Sequence, residues 1–183
     1  HRLIRRQRQM CIRDRWCITR RYLEGIDPAG ARLITIGEKL KGYSGWPRGT
    51  RFRLENFFAA LDEPGEWFLA RDGTLYYLPR PGEDLARAEV VAPRLEKLVV
   101  FQGEPRQRRF VEYIRLQGLS FKYHRLVLPR SGYPPYQAAY TIEAAVQLDG
   151  ARHIVLENCQ VAHGGGYGVW FRRGCRHCRL ERC

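Results

Sequence analysis

Lysine is scarce in this chain, and several patterns that identify common protein classes are missing. Lys occurs only at positions 39, 41, 97 and 122, so nearly all of the positive charge is Arg. No apolar run has the length of a membrane-spanning helix. A Gly-rich phosphate loop, a nucleophile elbow and a paired-His metal motif are also lacking. We therefore predict no membrane span, no metal site and no cofactor.

The formal net charge of +13 would ordinarily suggest a polyanionic partner such as nucleic acid. The Arg residues, however, are scattered among Glu and Asp, and a preference for Arg over Lys also follows from a GC-rich genome. Residues 1–15 contain six Arg and one Asp, which leaves +8 for the rest of the chain. We interpret the remaining charge as solvated surface and predict no nucleic-acid partner.

Residues 1–15 resemble a segment that is foreign to the protein. The stretch RRQRQMCIRD at residues 5–14 matches the translation of a transposase adapter used in sequencing libraries. The adapter end AGATGTGTATAAGAGACAG, read from its third base, encodes Met-Cys-Ile-Arg-Asp. Such segments are excluded from fold reasoning. The alternative is a genuine basic arm, and the DNA contig would distinguish the two.

A repeat organises the second half of the chain. Ile154–Val161 reads IVLENCQV, Ile114–Phe121 reads IRLQGLSF, and a third copy begins as CRLERC. In each copy Gly118, Asn158 or Arg182 interrupts alternating apolar residues, which predicts a strand, a tight corner and a second strand. Gly and Asn adopt the left-handed conformation at the lowest cost, whereas Arg182 suits such a corner less well.

A second alternating pattern precedes each copy and ends at a glycine. It begins at Val99, at Val146 and at Val169, and reaches Gly103, Gly150 and Gly174. The last two occurrences are separated by a spacing in the low twenties, which suits one coil of a parallel β-helix. Coils of a solenoid bury their apolar faces by stacking on one another. We therefore predict an all-β chain with parallel β-helix coils over residues 98–183.

Residues 16–97 are rich in β-type sequence but carry no repeat. Arg32–Ile36 is predicted to be a strand, and Gly42–Gly49 a loop. The pair Asp72-Gly73 separates two apolar runs, which predicts a β-hairpin whose tight turn has positive φ at both residues. We treat this part as a separate β-rich domain.

Four segments together resemble bacterial right-handed parallel β-helix proteins similar to glycoside hydrolase family 141. They read LDEPGEWFL at 61–69, GTLYYLP at 73–79, RLQGLSF at 115–121 and VAHGGGYG at 161–168. The resemblance covers essentially all of residues 16–183. It implies a right-handed, pectate-lyase-like solenoid, with an insertion domain at 16–97 and coils missing at both ends.

The resemblance also implies an activity, the α-L-fucosidase-like hydrolysis of complex plant glycans. An enzyme of this type needs two carboxylates, one as acid and one as base or nucleophile. In the family these lie on later coils, so we assign no catalytic residue.

Five residues are candidates for substrate binding. His163 and Tyr167 flank a flexible turn of three glycines at a coil edge, where they could hydrogen-bond a sugar. A turn histidine that bonds the backbone is the alternative for His163. Trp170 is predicted to point outward, either as a sugar-stacking platform or beneath the insertion domain. Glu143 and His124 bracket an excursion rich in Pro and Tyr, and such excursions often line binding sites.

The motif CRHC at residues 175–178 has a spacing that is common in zinc and disulfide-exchange sites. In the register of the repeats, its second Cys takes the place of Ile154. Cys159 and Cys183 take the place of Leu119. These are interior positions, so we predict stacked core cysteines rather than a metal site.

We predict a fragment of a carbohydrate-active β-helix protein whose partner is a polysaccharide or another glycan. The parent is predicted to be an extracellular or periplasmic glycoside hydrolase, and this fragment is predicted to be inactive. Two alternatives stay open. One is a non-catalytic β-helix that binds surfaces as an adhesin does. The other is a polysaccharide lyase, which would need calcium-binding carboxylates and basic residues on one coil face.

Overall fold

The computed structural model describes residues 9–14, 17–37, 48–133 and 142–183. Within these ranges the regular secondary structure consists of β-strands and three short 3-10 helices, at Phe58–Ala60, Leu85–Arg87 and Pro105–Gln107. The chain is therefore all-β. It divides into two compact units. The first contains the described residues of 4–90 and 128–140, and the second those of 91–127 and 141–183.

The first unit contains an antiparallel sheet of four strands. These are β1 Gln9–Asp14, β2 Cys17–Asp27, β3 Arg32–Ile36 and β4 Phe52–Glu55, in the order β3-β2-β1-β4. The strand predicted at Arg32–Ile36 is confirmed, whereas most of the predicted loop at Gly42–Gly49 lies outside the described residues. Two backbone hydrogen bonds of 2.7 and 3.1 Å join Tyr133 to Arg20 and attach residues 128–133 to this sheet.

The predicted hairpin forms between β5 Trp67–Leu69 and β6 Leu75–Tyr77. Its turn differs from the expectation, because Gly73 has a φ of 96° while Asp72 is not among the residues with positive φ. The Gly73 N–H donates to the Ala70 carbonyl at 3.1 Å, which makes the loop longer than a two-residue turn. The prediction of positive φ at Asp72 is therefore wrong, since the longer loop needs only one left-handed residue.

The second unit consists of short strands that pair in parallel between successive passes of the chain. The bounds of these strands are β7 Val99–Gln102, β8 Val111–Glu112, β9 Arg115–Gln117, β10 Ser120–Lys122, β11 Ala144–Asp149, β12 Ala151–Arg152, β13 Val155–Glu157, β14 Gln160–Ala162, β15 Tyr167–Phe171 and β16 Arg179–Glu181. One sheet contains β7, β11 and β15, and another contains β9, β13 and β16. Two further pairs are β8 with β12 and β10 with β14.

The register of these strands follows the sequence repeat. Val146 pairs with Val99 in one neighbouring strand and with Val169 in the other. Leu156 lies in the same way between Leu116 and Leu180. Equivalent apolar residues thus stack from one pass to the next, which confirms the alignment of the repeats. The buried core consists of Phe101, Phe121, Val146, Leu148, Ala151, Ile154, Leu156 and Cys159.

Left-handed residues stand at the corners between strands. Gly118, Asn158 and Arg182 have φ values of 69°, 50° and 51°. Arg182 therefore adopts the corner conformation that was expected to suit it poorly. Its Nε donates to Asn158 Oδ1 at 2.8 Å, and a terminal nitrogen bonds the carboxylate of Glu157. These bonds offset part of the cost of a left-handed residue that is not glycine.

The cysteines of the repeat lie largely as predicted. Cys159 is buried in the core, and Cys175 and Cys178 are partly buried and pack against that core. Burial raises the pKa of the Cys175 thiol, which disfavours a reactive thiolate. The interior placement predicted for Cys183 is wrong, because its side chain is exposed and no described strand stacks beyond β16. Each thiol approaches a backbone carbonyl of the preceding pass at 3.3–3.5 Å, namely those of Leu116, Leu148, Ala151 and Leu156.

Candidate functional site

Four of the five predicted binding residues gather around Gly164–Gly166, which we call the glycine turn. The imidazole of His124 packs against this turn and is only 1% exposed. The Gly166 N–H donates to its Nε2 at 3.2 Å. A Cβ on Gly164 would lie 1.9 Å from Cε1 of His124, and one on Gly166 would lie 2.7 Å from the Glu143 carbonyl oxygen. The close approach of these groups therefore requires the glycines.

The contacts of His124 determine its chemical form. Burial lowers its pKa, although backbone hydrogen bonds with Gly166 and Tyr167 act in the opposite direction. Because Nε2 accepts a hydrogen bond from Gly166, the proton of the neutral ring resides on Nδ1. Nδ1 is buried and has no hydrogen-bond partner among the described residues. The ring thus holds a buried donor that the described residues leave unsatisfied, at a cost in free energy.

Glu143 lies at the same turn, just before β11. One carboxylate oxygen, Oε1, is 3.6 Å from Nζ of Lys97. The other, Oε2, is buried and finds no hydrogen-bond donor within the described parts of the chain. A buried carboxylate oxygen without a donor costs free energy, as does an unpaired ring nitrogen. Glu143 and His124 therefore offer complementary groups, an acceptor and a donor, beside one turn.

His163 and Tyr167 stand at the two ends of the glycine turn, and both are exposed. His163 has a φ of 52°, and its ring stacks on Tyr123 with centroids 5.2 Å apart. Tyr167 is 38% exposed and begins β15, where it pairs with Ala144 of β11. These two rings thus place polar atoms in solvent beside the buried groups of the turn.

Trp170 lies apart from the other four residues. It pairs with Gln147 of β11, on the face opposite to Val146 and Leu148, whose side chains form the core. The indole is half-buried, and the Arg172 guanidinium carbon lies 4.7 Å from its ring centroid. The predicted outward direction of Trp170 agrees with this register. The structure does not bring Trp170 to the glycine turn.

Sequence reasoning did not identify Lys97 or Tyr123 as parts of this site. Lys97 adjoins the first strand of the repeat and gave no signal beyond its scarcity as a residue type. Tyr123 and His163 follow Phe121 and Val161 at the same distance, so the alignment of the repeats contained the information that they stack. A column of equivalent aromatic residues was the signal that could have found this pair.

Two further features bear on the class of site. Within the described ranges, no three His, Cys, Asp or Glu side chains come together as a metal site would require. No helix in the described residues is long and apolar enough to cross a membrane.

Comparison with known proteins identifies one architectural relative. No protein family model and no curated protein matches the chain. A solved structure of a protein described as a glycoside hydrolase is similar, with a TM-score of 0.75 and 24% sequence identity over 89% of this chain. The chain spans 34% of the length of that protein. At this level of identity, the likeness shows a shared fold.

Proposed function

We propose that this chain is part of a carbohydrate-active β-helix protein whose parent is a glycoside hydrolase. The observation that carries the proposal is the likeness in fold to a protein described as a glycoside hydrolase. The in-register parallel pairing of β7, β11 and β15 supports a right-handed, pectate-lyase-like solenoid. Since one fold can serve several functions, the site must supply the remaining argument.

More specifically, we propose that the parent resembles glycoside hydrolase family 141 and acts as an α-L-fucosidase-like enzyme on complex glycans. Residues 98–183 are then coils of the β-helix, and 16–97 are the insertion domain. The parent works outside the cytoplasm, as an extracellular or periplasmic protein. The motifs at 61–69, 73–79, 115–121 and 161–168 support this assignment.

The glycine turn is the part of the chain that contacts the glycan in this proposal. A sugar hydroxyl can donate to the carboxylate of Glu143, whose side chain is 37% exposed, while the buried His124 holds the turn through the hydrogen bond from Gly166. The exposed rings of His163 and Tyr167 add further hydrogen-bonding atoms at the rim. Trp170 would contribute on another face, by stacking on a sugar.

Catalysis requires a pair of carboxylates on either side of the scissile bond, and we assign none to this chain. Oε1 of Glu143 lies 3.6 Å from Nζ of Lys97, which is an ion pair and not the pair of carboxylates that glycoside hydrolysis requires. In the complete parent the catalytic pair lies on other coils, so the isolated chain binds glycans without cleaving them.

Two experiments test this proposal. The parent protein, expressed from the extended gene, is assayed on a panel of aryl glycosides and plant glycans, and we expect it to release sugar. The present chain is screened on a glycan array together with Glu143→Gln, which keeps the shape of the side chain but removes its charge. Weaker binding by the variant is expected. A parent that neither cleaves nor binds any glycan would contradict the proposal.

We also propose that residues 1–15 derive from a sequencing adapter. In the structure, residues 9–14 pair as β1 with β2 and β4, so a chain beginning at Trp16 loses these pairings. The second unit has its own core and should keep its stability in that shorter chain. Reading the genomic DNA across this segment decides its origin, and a natural codon sequence unlike the adapter would refute the assignment.

A further inference from the structure

A column of stacked rings runs along one corner of the second unit. Tyr113, His153 and His177 precede β9, β13 and β16, and all three are left-handed, with φ values of 59°, 53° and 55°. The rings of Tyr113 and His153 stack at 4.7 Å, and those of His153 and His177 at 4.9 Å. The left-handed conformation is uncommon for residues other than Gly and costs Tyr more than it costs His. Strain repeated at one position in three passes suggests a function.

The column is not arranged to bind a metal ion. The planes of His153 and His177 are only 17° apart, so the rings lie face to face. Lone pairs of face-to-face imidazoles run in parallel, whereas two ligands of one metal must converge on a point. The same stacking covers most of the ring faces, so the column offers nucleic acid bases few surfaces on which to stack. The ring edges are the parts that a ligand can reach.

These edges line an open groove with a volume of about 350 Å³. Its lining residues are His153, Val155, His177 and Arg179. Val155 is buried and gives the groove an apolar floor. Arg179 approaches Glu181 most closely through its inner nitrogen Nε, at 3.1 Å. The lining itself contains no carboxylate.

This combination fits a sugar ring that carries an acidic group. A guanidinium binds carboxylate and sulfate groups through parallel hydrogen bonds. Imidazole edges can donate further hydrogen bonds, and an apolar floor accommodates the C–H face of a sugar. We propose that the groove at His153, His177 and Arg179 binds an acidic residue of a glycan, a uronate or a sulfated sugar. This inference rests on the proposed function, because it presumes a glycan partner.

The test compares acidic polymers with neutral counterparts of the same backbone, using the full 183-residue chain. Polygalacturonate is paired with its methyl ester, and dextran sulfate with dextran, in calorimetric titrations at one fixed salt concentration. We expect the chain to bind at least one acidic polymer about tenfold or more tightly than its neutral counterpart. The pair that shows this difference identifies the anionic group as carboxylate or sulfate.

The variant His177→Asn/Arg179→Gln removes one imidazole and the guanidinium from the groove. Asn adopts the left-handed conformation readily, so the fold should persist, and circular dichroism verifies it. We expect the variant to lose about tenfold in affinity for the acidic polymer. The matched control is Arg106→Gln, which removes one charge from an exposed Arg that does not line the groove. The control should bind as the unaltered chain does.

The remaining outcomes overturn the assignment, each in a different way. Unchanged binding by the double variant places the acidic glycan elsewhere, and an equal loss in Arg106→Gln reduces the effect to net charge. Tighter binding of a single-stranded oligonucleotide, lost in the same variant, makes the groove a nucleic-acid site. If the chain binds neutral glycans with no preference for acidic ones, the groove assignment falls and the proposed function stands. If it binds no glycan at all, both fall.

Discussion

Substitution of Gly164 by Ala tests the packing of His124 against the glycine turn. The backbone of Gly164 lies outside the left-handed range, so Ala is sterically acceptable to the main chain. Such a change would by itself stabilise a protein by about 0.4–1 kcal/mol. Here the new Cβ would lie 1.9 Å from Cε1 and 2.5 Å from Nδ1 of His124. The ring must therefore move or the turn must open.

The loss of stability in Gly164→Ala depends on the contacts that are broken when the His124 ring moves or the turn opens. Overpacking of a buried site costs about 1–3 kcal/mol, and a displaced ring also loses the hydrogen bond from Gly166, which contributes about 0.5–1.5 kcal/mol. After subtraction of the favourable backbone effect, Gly164→Ala should lower the free energy of unfolding by about 0.5–4 kcal/mol, with a central value of about 2 kcal/mol. In a His124→Ala background the clash is absent, and the same change should cost less than about 0.5 kcal/mol.

Urea unfolding followed by circular dichroism gives the four free energies of this double-mutant cycle. Gly168→Ala is the matched control, because its Cβ would meet only Val161, at 3.4 Å, and its backbone is also outside the left-handed range. An equal loss from Gly164→Ala with and without the imidazole would refute the reasoning. So would an equal loss in the control.

Three further outcomes follow from the structure. Arg182→Ala should destabilise the chain by about 1–2 kcal/mol, because it loses the hydrogen bonds to Asn158 and Glu157 and keeps a left-handed residue. Arg182→Asn should cost less, because Asn adopts that conformation readily; thermal unfolding measures both, and equal effects would contradict the corner argument. Because burial lowers the pKa of His124, the unfolded state binds its proton more tightly. The free energy of unfolding should therefore decrease as the pH falls below about 6.5. In urea unfolding at pH 5–8, His124→Gln should flatten that pH dependence. Because burial raises the pKa of Cys175, iodoacetamide should modify it about tenfold more slowly than the exposed Cys183, and equal rates by mass spectrometry would contradict this.

The stacked core was predictable because parallel pairing brings equivalent residues of successive passes together. Leu116, Leu156 and Leu180 share one position in the repeat, and the structure places them in adjacent strands. A one-residue slip would turn every side chain to the other face, so the alternation of apolar residues determines the register. The same logic located Cys178 beside Ile154.

The site was less predictable, since its geometry depends on approaches between residues distant in sequence. The three glycines indicated a flexible turn, but their spacing contains no information about the ring of His124 that packs against them. The burial of Glu143 Oε2 and its contact with Lys97 likewise arise from residues that no local pattern connects. The turn of the β5–β6 hairpin was hard to predict for a different reason, because an Asp-Gly pair is compatible with more than one loop length.

Some corner positions of the repeat maintain the fold, and others line the proposed binding groove. At the corner of Gly118, Asn158 and Arg182, the residues either adopt the left-handed conformation easily or compensate for it with hydrogen bonds to the preceding pass. At the corner of His153 and His177, two imidazoles adopt that conformation where Gly or Asn would cost less. Stacking offsets part of that cost, but stacking alone does not account for Arg179 beside the ring edges or for the open groove. Stacked rings replace the cheapest residue at this corner and also at Tyr123 and His163 beside the glycine turn, and these are the corners at which we expect a ligand.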